Sequence, residues 1–192
     1  MKKLLLMSLL ASTMAMTSVN AEPLPSPVIG IIEQATLDKS AAFKSIIGQI
    51  TKKRNEIEKE MSNYANSLKT KEDQLIAKQK KLSEKEFAAE RDAFEKQVHE
   101  AEGKVEVRRA QMENGVEEAK KKVYEAFLKA ADEVRKEAGA NIIVYKETIV
   151  TADNVFDLTP KVLEKLNKTL PSVQVQFKSE AEVKKQLSAQ PQ

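Results

Sequence analysis

From Val28 to Thr159 the chain holds no proline, and through most of that stretch its apolar residues recur at alternating steps of four and three. Phe43, Ile47, Ile50, Ile57, Met61, Tyr64, Leu68, Leu75 and Leu82 lie on one such stripe, interrupted only by Arg54, Lys71 and Lys78. The residues between them are mostly Lys, Glu, Gln, Asn and Ser. Two apolar positions in seven make a seam too narrow for a helix lying on a globular core, and of the width that pairs one helix with another. The middle of the chain is therefore expected to be coiled coil.

The partner helix lies in the same chain. The stripe resumes through Phe87, Phe94, Val98, Ala101, Val105, Met112, Val116, Ala119 and Val123, with Arg91 and Arg108 on it. Between the two runs, Ser83 and Glu86 have capping-box spacing, and Leu82 and Phe87 stand where a hydrophobic staple needs them. One uninterrupted helix with an incidental Ser-x-x-Glu is the alternative. Register favours the reversal: folding back at Ser83 pairs residues whose numbers sum to about 166, an antiparallel seam. Met61 then meets Val105 and Leu68 meets Val98, while Arg54 and Lys71 fall opposite Met112 and Phe94. Residues 43–138 are thus predicted to form a helical hairpin roughly 60 Å long with its tip near 83. Gly103 and Gly115 each cost the returning helix ~1 kcal/mol. With the two successive steps of four through Arg108, Met112 and Val116, they suggest a bend. The other reading is that both glycines are tolerated in an exposed helix.

The flanks read as small elements. Val28-Ile29-Gly30-Ile31-Ile32 is a buried strand, followed by a helix capped at Asp38 or Ser40. Gly139 ends the returning helix as a left-handed cap. Ile142–Tyr145 and Thr148–Val150 are expected as two strands joined at Lys146-Glu147, which is poor hairpin-turn chemistry. Thr159 caps a last helix with Pro160 in its first turn, buried through Val162, Leu163 and Leu166. Beyond Pro171, residues 172–177 read as extended and 179–192 as a polar tail. The fold class is mostly α with a small β body (α+β), a long antiparallel coiled-coil hairpin projecting from a short-stranded base. The base spans 28–42 and 139–170, and 171–192 is a C-terminal extension. A body that small, in a chain without cysteine, needs partners to stand. Self-association is expected through Val28, Ile29, Ile31, Ile32, Ile142, Ile143, Val144, Ile149 and Val150, which would also hide their edges.

The N-terminus points to export. Met1-Lys2-Lys3 is a positive start, Leu4–Met16 an apolar stretch, and Val19-Asn20-Ala21 a small-x-Ala cleavage triplet. Residues 1–21 read as a signal peptide; the apolar stretch falls short of the ~20 residues that span a bilayer. Residues 22–27, with three prolines, form a flexible lead-in. Lys and Arg number 32 against 29 Asp and Glu, and two of the lysines belong to the leader, so the mature chain is near neutral and no nucleic-acid partner is expected. With no Cys and one His, His99, no catalytic set, metal site or cofactor is expected and the chain is not read as an enzyme.

One charge cluster stands out. Lys78, Lys80, Lys81, Lys85 and Arg91 gather at the arm tip, only partly offset by Glu84, Glu86 and Glu90. They suit capture of acidic unfolded clients, anionic lipid or lipopolysaccharide; the plainer reading is a solvated coiled-coil surface. Lys120-Lys121-Lys122 and Arg108-Arg109 read as ordinary helix surface. Ile46, Ile76 and Leu128, off the seam, are candidate client contacts.

This order of elements resembles the Skp (OmpH-like) family of periplasmic chaperones. The residues that carry the resemblance are Val28–Ile32, the tip sequence Lys80-Lys81-Leu82-Ser83-Glu84-Lys85-Glu86-Phe87, Asn141–Ala152, and Asp153–Thr159 before Pro160. The resemblance implies a periplasmic homotrimer whose strands build a small β body. Its arms would surround a cavity that holds unfolded outer-membrane proteins without ATP. A coiled-coil spacer or adaptor of the cell envelope is the alternative function. Two features depart from the family pattern: Glu147 stands where a left-handed-tolerant residue is usual, and the chain runs on past Pro171.

Overall fold

The computed structural model describes residues 24–189; the leader and the first residues of the lead-in lie outside them. Strand β1 (Ile29–Ile32) leads through a single turn, α1 (Thr36–Lys39), into α2 (Ala41–Lys78). Helix α3 (Glu84–Glu137) returns to β2 (Ile142–Tyr145). Two 3-10 turns (Lys146–Thr148 and Asn154–Phe156) precede α4 (Thr159–Thr169) and α5 (Glu180–Ser188). Among the described residues no helix is long and apolar enough to cross a membrane.

The reversal expected at Ser83 is present. Ser83 Oγ accepts from Glu86 N, and the Glu86 carboxylate accepts from Ser83 N at 3.0 Å, so the box closes from both sides. These bonds hold the Glu86 carboxyl below the usual carboxylate range. Cross-arm contacts give the register directly: Glu60 with Arg108, Tyr64 with Lys104, Lys71 with Gln97 and Lys78 with Glu90. Each pair sums to 168, two residues from the register the seam predicts. At ~1.5 Å per residue, the 38 residues of α2 make an arm of about 57 Å. Along its outer half the seam residues Met61, Tyr64, Leu68, Leu75, Phe87, Phe94 and Val98 are only half-buried, as two helices alone can manage.

Nearer the body the burial pattern rotates. Ile46 is fully buried while Ile47 is exposed, and Val107 and Gln111 are buried where the stripe would place Arg108 and Met112. The cause is a second packing partner. The α4 region and the C-terminal segment lie against the arm root, so each helix there buries two faces. Ala42, Ile46, Ala119 and Val123 form one cluster with Val173 and Val175 of that segment. A second cluster joins Ile32 to Phe127, Ala131, Val134, Leu158, Val162 and Leu166.

The strands differ from expectation. β1 and β2 are parallel, with Ile29 opposite Ile142 and Ile32 opposite Tyr145, and they form a two-stranded sheet. A parallel pair needs a long crossover, which the arm supplies, and no hairpin turn at Lys146-Glu147. Ile149 and Val150 are therefore not a strand: Lys146–Thr148 coils into a 3-10 turn, and Val150 is wholly exposed. Val28 lies just outside β1, its carbonyl accepting from Asn141 N and Ile142 N. On the far side of β1, Leu158 N donates to Ile31 O at 2.8 Å. The Thr159 hydroxyl does not cap α4 but accepts from Glu33 N at 2.9 Å, tying that helix to the end of β1. Ser40 caps α2 and Gly139 ends α3 at φ +67°, both as the sequence suggests.

Candidate functional site

Three surfaces are placed by this architecture. At the tip, the turn joining α2 to α3 carries the basic cluster, and the structure divides it. Lys78 pairs with Glu90 across the arm at 3.0 Å, and Arg91 lies 3.5 Å from both Asp92 and Glu95 on its own helix. Lys80, Lys81 and Lys85 are exposed, and among the described residues none has a carboxylate within 4.0 Å. Glu86 is consumed by the capping box. The uncompensated positive charge thus comes from three lysines within one turn of the reversal.

The second surface is the body. Tyr124, Leu128, Ile142, Val155 and Phe156 are large apolar residues left exposed there, beside Val28 and Ile29. A shallow cavity of about 400 Å³ opens between α3 and β2, lined by Tyr124, Phe127, Leu128, Ile143, Val144 and Tyr145. Tyr124 and Phe127 stack with ring centroids 6.3 Å apart. The outer edge of β2 has no ladder partner among the described residues. Of the residues singled out for self-association, Ile31 and Ile32 are buried within the chain; Val28, Ile29 and Ile142 are exposed, and Ile143 and Val144 half-buried. Of the three apolar residues proposed for client contact, Ile76 and Leu128 are exposed, but Ile46 is interior and cannot touch a client.

The third surface was invisible to the periodicity argument. Past Pro171 the chain turns back along the arm root. Gln49 Nε2 donates to the Val173 carbonyl at 2.7 Å and Gln49 Oε1 accepts from Val175 N at 3.0 Å. From the other helix, Gln111 Nε2 donates to the Lys178 carbonyl. Gly115 lies beneath the crossing point: a Cβ there would stand 2.9 Å from the Gln176 carbonyl oxygen and 3.1 Å from Val175 Cγ1. That glycine is required by a close backbone approach, not by a bend. Gly103 has open space around its missing side chain. Ser179 then caps α5 through a second box with Glu182, and Val183 is buried against the arm. Arg108 binds Glu60 of α2 and lies 3.4 Å from Glu180 of α5, joining three helices. Its hydrogen bonds hold the Glu60 carboxyl below its ordinary range, against the opposing effect of burial. The signals were present in the sequence: Val173, Val175 and Phe177 alternate with glutamines, and Ser179 and Glu182 repeat the spacing of the tip box.

With the hairpin, the parallel strand pair and the α4 docking in view, the relationship to known proteins is specific. The model of the family described as outer membrane protein (OmpH-like) matches residues 29–166. The chain belongs to the OmpH-like family. The matched span runs from the first residue of β1 to Leu166 in α4 and includes the whole arm. No curated protein matches the chain. Among solved structures, an OmpH-like protein from Caulobacter crescentus CB15, provisionally described as an outer membrane chaperone, superposes with a TM-score of 0.75. It is 14% identical, and the match covers 83% of this chain and 95% of that one. At that identity the likeness speaks for the fold. The OmpH-like model stops in α4, so the segment against Gln49 and Gln111 lies beyond the family's matched span.

Proposed function

We propose that this protein is an ATP-independent holdase of the periplasm, exported by a cleaved signal peptide, that binds unfolded outer-membrane proteins between the arms of a homotrimer. The observation that carries this reading is the contrast between the two ends of the molecule. The arm is a thin prong with a polar surface, whereas the body leaves a sheet edge and a cluster of large apolar residues uncovered. A second and third copy seated on that body would cover Ile142, Tyr124 and Leu128 and hold the prongs side by side. The space between prongs would then restrain a client by many weak contacts at high local concentration, each exchanging quickly, with no deep pocket or nucleotide needed. Lys80, Lys81 and Lys85 at the rim would attract acidic client segments or anionic lipid. The OmpH-like relative from Caulobacter, described as a chaperone, supports the same assignment.

Light scattering of the mature protein tests the assembly, and suppression of aggregation of a denatured outer-membrane barrel tests the activity. The proposal expects three copies and protection at near-stoichiometric ratio without nucleotide. A trimer that gives no protection would favour a coiled-coil spacer or adaptor of the envelope; a stable monomer would remove the cavity altogether.

A further inference from the structure

We propose that the groove at the arm root, now filled by residues 172–178, is a binding site for an extended polypeptide with apolar side chains at alternate positions. The ligand is an unpaired transmembrane β-strand, and the C-terminal segment is its built-in competitor. The proposal rests on the chaperone reading for the source of the strand; the groove itself stands on its geometry.

Two kinds of contact recognise the resident segment, and neither depends on its particular sequence. Gln49 turns its side-chain amide into a backbone partner, donating to the Val173 carbonyl and accepting from Val175 N as a neighbouring strand would. Gln111 adds a bond to the Lys178 carbonyl, and Gly115, lacking a Cβ, lets the main chain pass at contact distance. The side chains are sorted by period alone. Val173 and Val175, 6% and 3% exposed, enter the apolar floor of Ala42, Ile46, Ala119 and Val123, while Gln174 and Gln176 face solvent. A membrane-spanning barrel strand has this period over about ten residues. At ~3.3 Å per residue, seven residues of it would fill the groove occupied by 172–178.

The segment's far end is anchored chiefly by one apolar side chain, Val183 of α5, which is buried against the arm. Of its ion pairs, Lys178 with Glu118 at 3.2 Å is half-solvated and contributes little, while Glu180 reaches the more shielded Arg108 only at 3.4 Å. A resident competitor on a short tether acts at an effective concentration on the order of millimolar. A free strand therefore meets an affinity reduced by the fraction of time the groove is closed.

The experiment uses the full mature chain and three labelled seven-residue peptides followed by fluorescence anisotropy. One has the sequence of residues 172–178, one is an alternating strand of an outer-membrane barrel, and one has that strand's composition with its apolar residues contiguous. In the first arm, Val173→Asp/Val175→Asp unseats the resident segment. Both alternating peptides are expected to bind this variant roughly tenfold or more tighter than the parent, as removal of the competitor requires; the contiguous peptide should gain nothing. In the second arm, Asn114→Cys/Gln186→Cys, at side chains 3.1 Å apart in a chain without other cysteines, is bridged by a short bismaleimide to lock the segment down. Locking should abolish binding of the barrel strand.

Binding of the 172–178 peptide but not the barrel strand overturns the proposal, because the groove is then a private dock. Equal binding of the contiguous peptide also overturns it. If the aspartate variant does not fold, the locked protein decides: strand binding unchanged by the bridge overturns the proposal. Aggregation assays on the same proteins separate the two readings. Protection by an unlocked protein whose groove binds no barrel strand, even with the resident segment unseated, sinks the groove and spares the holdase; strand binding without protection does the reverse.

Discussion

Arg108 grips Glu60 across the arm with two nitrogens: Nε donates to one carboxylate oxygen and Nη2 to the other, each at 2.9 Å. Its remaining nitrogen, Nη1, donates to Gln111 at 3.1 Å and reaches Glu180. The Arg108 side chain is 18% exposed, so this contact is shielded in a way that the other ion pairs of the arm are not. A forked guanidinium can serve three partners in fixed directions, whereas an ammonium cannot. Arg108→Lys and Arg108→Ala should both destabilise the protein, the latter by about 1.5–3 kcal/mol, the range for hydrogen bonds to charged groups. Urea denaturation checks this, and a double-mutant cycle with Glu60→Gln should return a coupling that the exposed Arg109 and Glu113 pair does not.

The same contact makes a pH prediction. Hydrogen bonds from Arg108 lower the Glu60 carboxyl in the folded state, and in the unfolded chain it returns to about 4.3. The native protein therefore binds fewer protons than the unfolded one as pH falls into that range. Its contribution is complete well above the unfolded value and is lost as pH drops through the lower folded value. The urea midpoint should be flat from pH 7 to about 5.5 and decline below about 4.5. Glu60→Gln should start lower at neutral pH and decline less steeply; an identical slope would exclude Glu60 as a source of the acid sensitivity.

The two glycines of α3 should part company. Gly103→Ala, in open space, should stabilise by about 0.8–1 kcal/mol through helix propensity. Gly115→Ala places a Cβ 2.9 Å from a backbone carbonyl, and Gly115→Leu should cost about 1–3 kcal/mol as overpacking. Thermal melts of the three variants test it. A hinge at Gly115 predicts the opposite: fast amide exchange around residues 110–120 and little penalty for filling the site.

At the tip, Lys80→Glu/Lys81→Glu/Lys85→Glu should leave stability within ~0.5 kcal/mol, since among the described residues these lysines have no ion pair to lose. If the rim captures acidic clients, association should slow by roughly tenfold or more at low salt and lose most of its ionic-strength dependence. Stopped-flow binding of a denatured barrel at two salt concentrations measures both. An unchanged rate at low salt would assign the cluster to solvation.

The parts of the fold set by a local repeat or a cap were legible; the parts set by pairing between distant residues were not. Heptad spacing from Phe43 to Val123 and the Ser83 box specified the hairpin, because coiled-coil pairing depends on period and caps depend on two residues. Strand direction is not a periodic property. Ile149 and Val150 look as β-prone as Ile142 and Ile143, and only the parallel pairing with β1 leaves them without a place. Ile46 and Ile47 are likewise equal as residue types. Which one is interior depends on Val173 and Val175 arriving from more than 120 residues away. The Lys80 to Lys85 cluster could be found by counting charge, but its division into paired and unpaired members required the arm register. Gln49 and Gln111 carry no sequence signature of backbone recognition; a glutamine acquires that role from whatever crosses it.

The parallel pairing of Ile29 with Ile142 has a temporal consequence. A polypeptide delivered across a membrane from its N-terminus presents β1 first, yet its mate emerges 113 residues later. Local helical contacts form in microseconds, and distant strand contacts wait on closure of the intervening loop. The prong should therefore assemble first and the sheet should close last. Stalled chains ending before residue 142 should show helix by circular dichroism yet stay protease-sensitive at residues 28–40. Until that final stretch arrives, β1 remains an unmatched edge, open to misassociation with any other exposed strand.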